Sequence, residues 1–187
     1  MMMEDIDLFG QKNDPMRISV DNSKELIERG LRYFFGEHAE WLQEYDCVAD
    51  WLSDNKGKGL LCIGDGGRGK TFICERILLP IIEKTYSYAK IGKIRAYSIA
   101  RDYDELLGTI VFVDDIGVEY DTRNFGERRN VFNQLVDDSE RNNWILIVTT
   151  NLSINEIKEK YGERTLDRLR ALTTPVVFRG ESLRNRQ

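Results

Sequence analysis

Lys70 and Thr71, with Asp114 and Asp115, are the side chains of this sequence best suited to chemistry on a phosphate chain. Lys70 and Thr71 close the stretch Gly64-Asp65-Gly66-Gly67-Arg68-Gly69-Lys70-Thr71, which satisfies G-x-x-x-x-G-K-[ST]. Glycines at Gly64, Gly66, Gly67 and Gly69 let a backbone wrap an anion closely, so that successive N–H groups and a helix N-terminus point at it. In that arrangement Lys70 reaches the β- and γ-phosphates of a nucleotide and the Thr71 hydroxyl ligates Mg²⁺. Arg68 inside the loop and Phe72 just after it complete the nucleotide-binding set. Asp114 and Asp115 end the apolar run Thr109-Ile110-Val111-Phe112-Val113, which is the Walker B pattern. Asp114 is suited to the Mg²⁺ shell, making Thr71 and Asp114 the metal residues, and Asp115 to orienting or activating the attacking water. A glycine-rich turn or an acidic turn would explain either motif alone. Neither explains both in one chain.

The elements that must position these groups follow from the apolar pattern. Leu60-Leu61-Cys62-Ile63 reads as a buried strand feeding the loop, and Phe72 to Ile82 as an amphipathic helix leaving it. Lys93 to Ile99 gives a second strand, and a short polar segment, Ala100 to Gly108, leads to the Asp114 strand. The spacing predicts a helix over Phe125 to Arg141, then a strand from Trp144 to Asn151 whose polar end lies beside Asp114 and Asp115. Two helices, Ile154 to Tyr161 and Glu163 to Leu172, precede a last strand at Val176-Val177-Phe178. Apolar strands alternating with helices predict an α/β fold with a parallel sheet covered on both faces. The expected layout is a flexible, at most loosely docked arm over residues 1–22 and a single domain over 23–187. Within that domain residues 23–56 form N-terminal helices and 57–187 the nucleotide-binding core. Ser23 is the expected cap of a helix through Leu26, Ile27, Leu31, Phe34 and Phe35 that ends near Gly36. A second helix carries Trp41, Leu42, Tyr45, Val48, Ala49 and Leu52 and stops at Asn55-Lys56-Gly57.

Composition narrows the function. The chain has 187 residues, a formal net charge of −5 and a pI near 5.1, which argues against a whole-molecule electrostatic nucleic-acid binder. Lys158 to Gln187 nevertheless carries more Lys and Arg than Asp and Glu. A single histidine, His38, excludes a His-based metal site or triad. The three cysteines, Cys47, Cys62 and Cys74, show no C-x-x-C spacing, and a reducing cytoplasm is the simple inference. No apolar run approaches a membrane span.

Five blocks in order resemble one family. They are the glycine loop, Val113-Asp114-Asp115-Ile116-Gly117, Thr149-Thr150-Asn151-Leu152-Ser153, Tyr161-Gly162-Glu163-Arg164-Thr165-Leu166-Asp167-Arg168-Leu169, and Gly180-Glu181-Ser182-Leu183-Arg184. Together they resemble the DnaC/IstB-like branch of the AAA+ ATPases, the helicase loaders and transposition helpers, from about residue 40 onward. The resemblance implies a P-loop NTPase core of the AAA+/ASCE type, with ATP and Mg²⁺ as ligands. It implies that Asn151 is the sensor-1 residue and that Arg168, or else Arg164, reaches a neighbouring subunit's nucleotide. It also implies a replicative helicase or a transposase as partner, and single-stranded DNA as a second contact.

The sequence departs from that branch in four places. Ala100 to Gly108 is short where the branch carries a helical element. No helicase-binding domain is expected before residue 23 and no helical lid after Arg184. Asp115 stands where most AAA+ proteins have Glu, and its shorter reach predicts slow hydrolysis; the short Ala100 to Gly108 segment and the net charge of −5 predict a self-association that is weak or partner-dependent. A small-molecule kinase and a nucleotide-switched module without hydrolysis are the readings from other classes. The kinase needs an Arg-rich closing lid that the sequence lacks.

Overall fold

The computed structural model describes residues 15–103, 108–118, 122–124, 127–129 and 131–185. Two helices come first, α1 (Ser23–Phe35) and α2 (Glu44–Ser53). Strand β1 (Gly59–Gly64) runs into the glycine loop, which opens a continuous helix. That helix is α3 (Lys70–Phe72), a wider π-turn stretch over Ile73–Leu78, and α4 (Leu79–Thr85). Then come β2 (Ile91–Arg95), α5 (Ile99–Asp102), β3 (Ile110–Ile116) and a hairpin of β4 (Thr122–Asn124) and β5 (Glu127–Arg129). The chain continues through α6 (Val131–Asn142), β6 (Ile145–Thr150), α7 (Ile154–Tyr161), α8 (Glu163–Leu172) and β7 (Thr173–Phe178).

Five strands form one parallel sheet in the order β2-β3-β6-β1-β7. Side chains alternate across a strand, and these strands bury both sets. Leu60 and Cys62 of β1, Ile110 and Phe112 of β3, and Ile145 and Ile147 of β6 pack under α1, α2 and the loop helix. Their neighbours Leu61 and Ile63, Val111 and Val113, and Leu146 and Val148 pack under α6, α7 and α8. The parallel α/β class is therefore the one the apolar runs predict. β1 lies between β6 and β7, so the chain departs to opposite sides around its carboxyl end. Ligands of open parallel sheets bind at such a crevice.

Several local expectations need correction. Ser23 does not cap α1: Asn22 occupies the cap position without a side-chain bond, and the Ser23 hydroxyl donates to Ala49 O at 2.9 Å. That bond ties α1 to α2. Phe34 and Phe35 lie outside the core, 44% and 46% exposed. The second strand ends at Arg95, and residues 96–98 turn as a 3₁₀ helix. The helix expected from residue 125 starts at Val131, since Glu127–Arg129 instead pairs antiparallel with Thr122–Asn124. Of the expected arm, residues 15–20 are docked: Ile18 and Val20 are buried, and Ile18 N–H donates to the Asn55 side chain at 2.8 Å. The remainder of the arm, 1–14, and residues 104–107 of the short segment before β3 lie outside the described residues.

Candidate active site at the phosphate loop

The glycine loop joins β1 to α3 at the carboxyl edge of the sheet, and the tail after β7 backs it. Gly64 takes φ 129°, and a Cβ there would fall 2.0 Å from Phe178 O. Gly67 takes φ 79°, and its Cβ would fall 2.1 Å from the Ser182 hydroxyl. Both positions exclude a side chain by space and by backbone conformation. The tail holds the loop by Leu183 N–H to Gly67 O at 3.0 Å and Gly180 N–H to the Asp65 carboxylate at 2.9 Å. Gly69, at the start of the helix, passes under the Tyr45 hydroxyl, and burial pushes the pKa of Tyr45 up to about 12.

Arg68 points away from the loop's concave side. Its Nε and Nη2 donate to Glu44 Oε1 of α2 at 3.1 and 2.7 Å, and Nη1 to Glu181 O at 3.4 Å. Both side chains of the pair are buried. Arg68 therefore anchors the loop to α2 and the tail. Phe72 is likewise engaged by aromatic rings, with Phe34 edge-on at 5.2 Å and Phe35 tilted at 4.9 Å.

Lys70, Thr71, Asp114, Asp115 and Asn151 converge. The Lys70 ammonium is buried and donates to Gly64 O and Asp65 O at 2.7 Å each and to Asn151 Oδ1 at 2.8 Å. Burial lowers its pKa, against the opposing pull of the Asp115, Asp65 and Asp114 carboxylates. Thr71 Oγ1 donates to Asp114 Oδ1 at 2.6 Å, and Thr149 Oγ1 donates to the same oxygen at 2.8 Å. Asn151 Nδ2 donates to Asp115 Oδ1 at 2.9 Å.

Two successive carboxylates of a regular strand would face opposite sides of the sheet. Here the register between β3 and β6 shifts between Val113 and Ile116, and Asp115 takes φ 59°. The irregularity re-aims the strand end. Asp115 N–H meets the Thr149 hydroxyl at 2.8 Å, the same hydroxyl that donates to Asp114. Asp tolerates the left-handed conformation better than most residues.

Asp114 and Thr71 offer hard oxygen donors side by side, the carboxylate only 5% exposed, and this set suits Mg²⁺. One residue missed by the motif reading, Arg95, and two cysteines complete the neighbourhood. Arg95, at the end of β2, donates from Nη1 to Asp114 Oδ2 and from Nη2 to Glu75 Oε2 at 2.8 Å. Cys62 and Cys74 are buried with their sulfurs 3.6 Å apart, one on β1 and one on the loop helix. The mutual contact, then burial, raises the Cys74 pKa.

The α8 arginines lie on another part of the molecule. Arg168 pairs with Asp137 and, at 2.8 Å, with Glu140, both on α6. Arg164 is exposed and makes no hydrogen bond or ion pair among the described residues.

No protein-family model matches the chain, and no curated protein does. Solved structures do. The chain is similar to DnaI at 18% identity and TM-score 0.51, over 67% of this chain and 72% of that one. It is similar to AMPPCP-bound DnaA from Aquifex aeolicus at 14% identity and TM-score 0.53, over 79% of this chain and 51% of that one. The DnaC helicase loader aligns at 18% identity and TM-score 0.48, over 86% of this chain and 93% of that one. Sheet order, loop and the likenesses to DnaI and DnaA agree on the fold: a parallel α/β sheet with a phosphate loop at the end of β1, as expected of a P-loop NTPase core.

Proposed function

We propose that this chain binds ATP with Mg²⁺ at the Gly64–Thr71 loop and hydrolyses it slowly, as a replication accessory ATPase of the loader kind. The observation that carries the reading is the convergence of Lys70, Thr71, Asp114, Asp115 and Asn151 at one sheet edge. Lys70 now spends its donors on two loop carbonyls and Asn151, and phosphate oxygens would replace those acceptors. Thr71 and Asp114 would hold Mg²⁺, which supplies charge neutralisation on the phosphates. Asp115 orients the attacking water, and Asn151, bonded to both Lys70 and Asp115, relates the γ-phosphate to that water. The AMPPCP held by DnaA, a protein of the same fold, supports a nucleoside triphosphate as the ligand.

A replicative helicase as partner rests on the motif resemblance. The trans-acting arginine is the other proposal that depends on assembly. Arg164 is its better candidate, because Arg168 must first leave two carboxylates of its own chain.

The test is equilibrium titration of a fluorescent ATP analogue with Mg²⁺ present. The parent chain should saturate, and Lys70→Ala should lose affinity by about a hundredfold or more, as expected when a buried charge pairing is removed. Equal affinity in Lys70→Ala would overturn the reading.

A further inference from the structure

Asp114 is committed on both oxygens. Oδ1 accepts from the Thr71 and Thr149 hydroxyls, and Oδ2 accepts from Arg95. Strand register makes the last contact unavoidable, because Arg95 and Asp114 are direct partners across β2 and β3. Neighbouring residues on adjacent strands present their side chains together. The guanidinium has a second carboxylate, Glu75, on the π-turn stretch of the loop helix.

A dication held by Thr71 and Asp114 would stand against a guanidinium on the same carboxylate. Like charges at that separation repel strongly where solvent is scarce, and the Asp114 side chain is only 6% exposed. Glu75 and Arg95 are more open, at 30% and 41%. Arg95 already holds Glu75 through Nη2, so it can release Asp114 and remain paired.

We propose that Arg95 is a counter-ion gate on Asp114: it competes with Mg²⁺ for the carboxylate, and Glu75, already its second partner, keeps it paired when Mg²⁺ and nucleotide bind. The gate sets how much Mg²⁺ is needed before nucleotide is held. It rests on the nucleotide-binding reading above and adds a residue that no phosphate-loop motif contains. The opposite possibility, that Arg95 helps by aiming Asp114 at the metal, predicts the reverse sign and is an outcome of the test.

The experiment is titration of the fluorescent ATP analogue across a Mg²⁺ series, which reads binding and not turnover. Arg95→Gln should lower the half-saturating Mg²⁺ concentration by roughly tenfold, the lower end of what one neighbouring charge does at a carboxylate. Glu75→Gln should raise it severalfold, since the guanidinium then has Asp114 alone. Arg95→Lys, which keeps a cation, should stay near the parent. Circular dichroism melts establish that each variant folds, and if Arg95→Gln does not, Glu75→Gln carries the decision. An unchanged or raised Mg²⁺ requirement in Arg95→Gln overturns the gate while leaving nucleotide binding intact. Failure of the parent itself to bind at any Mg²⁺ level overturns the nucleotide reading, and the gate with it.

Discussion

The phosphate loop and helix α8 both carry motif arginines, and they treat them differently. In the loop, Arg68 is buried against Glu44 of α2, while the tail after β7 bonds Gly67 and Asp65. Lys70, Asp114 and Asp115 are cross-bonded to residues from the loop, β3 and β6. This half of the site is assembled by one chain. On α8, Arg168 is bound to α6 on the partly exposed surface, and Arg164 projects without a partner among the described residues. A binding site can be complete in a fold whose stimulated chemistry still waits for a second molecule.

The largest expected effect tests how far the loop depends on its anchor. Glu44→Ala leaves the Arg68 guanidinium buried beside no carboxylate. Breaking a buried pair from one side costs about 3–5 kcal/mol. The urea midpoint should fall accordingly, with weaker nucleotide binding as the loop loosens. A midpoint within experimental error of the parent would mean that Arg68 is solvated in solution and that the loop is held chiefly by the tail.

Next in size is Asp115→Asn. The amide keeps the shape but cannot accept a proton, so ATP hydrolysis should fall by about a hundredfold, equivalent to about 2.7 kcal/mol. Affinity for the ATP analogue should stay near parental, because Lys70, Thr71 and Asp114 are untouched. Hydrolysis at the parent rate would place the water-handling group elsewhere. A loss of affinity equal to the loss of rate would show instead that Asp115 holds the loop in shape through Asn151.

Much of the loop half was legible in the sequence because its motif is local. The strand, glycines, Lys70 and Thr71 lie within a dozen residues, and Asp114 and Asn151 end apolar runs that must be strands. What was not legible depends on register and on partners distant in the chain. Arg95 meets Asp114 because β2 pairs with β3 at that offset, and an apolar pattern does not carry an offset. The pairing of Arg68 with Glu44 spans 24 residues and two elements. The hairpin of β4 and β5 replaces the start of an expected helix, in a stretch whose charged residues carry no strong period. Phe34 and Phe35 fit a helical stripe yet lie outside the core, where they meet Phe72. The ion pairs of Arg168 come from α6 and not from its helical neighbours Glu163 and Asp167.

The smallest expected effect on the isolated chain is also the one that separates the two arginines. Arg168→Ala removes ion pairs whose members are partly exposed, and such pairs contribute about 1 kcal/mol or less. The thermal midpoint should therefore drop slightly, and ATP affinity should not change, since Arg168 contacts α6 and none of the loop residues. Arg164→Ala removes no bond among the described residues and should leave stability unaltered. If Arg164 serves a neighbouring chain's nucleotide, its loss should abolish any rise in turnover with protein concentration or with a partner that aligns subunits. Mixing Arg164→Ala with Lys70→Ala should then restore part of that rise, because each chain retains what the other lacks. Arg168→Ala should keep the rise, reduced only as far as α8 shifts on α6. The opposite result, with stimulation lost in Arg168→Ala and kept in Arg164→Ala, would show that the α6 pairing is a resting latch. Arg168 would then be the residue that leaves two carboxylates to reach another chain.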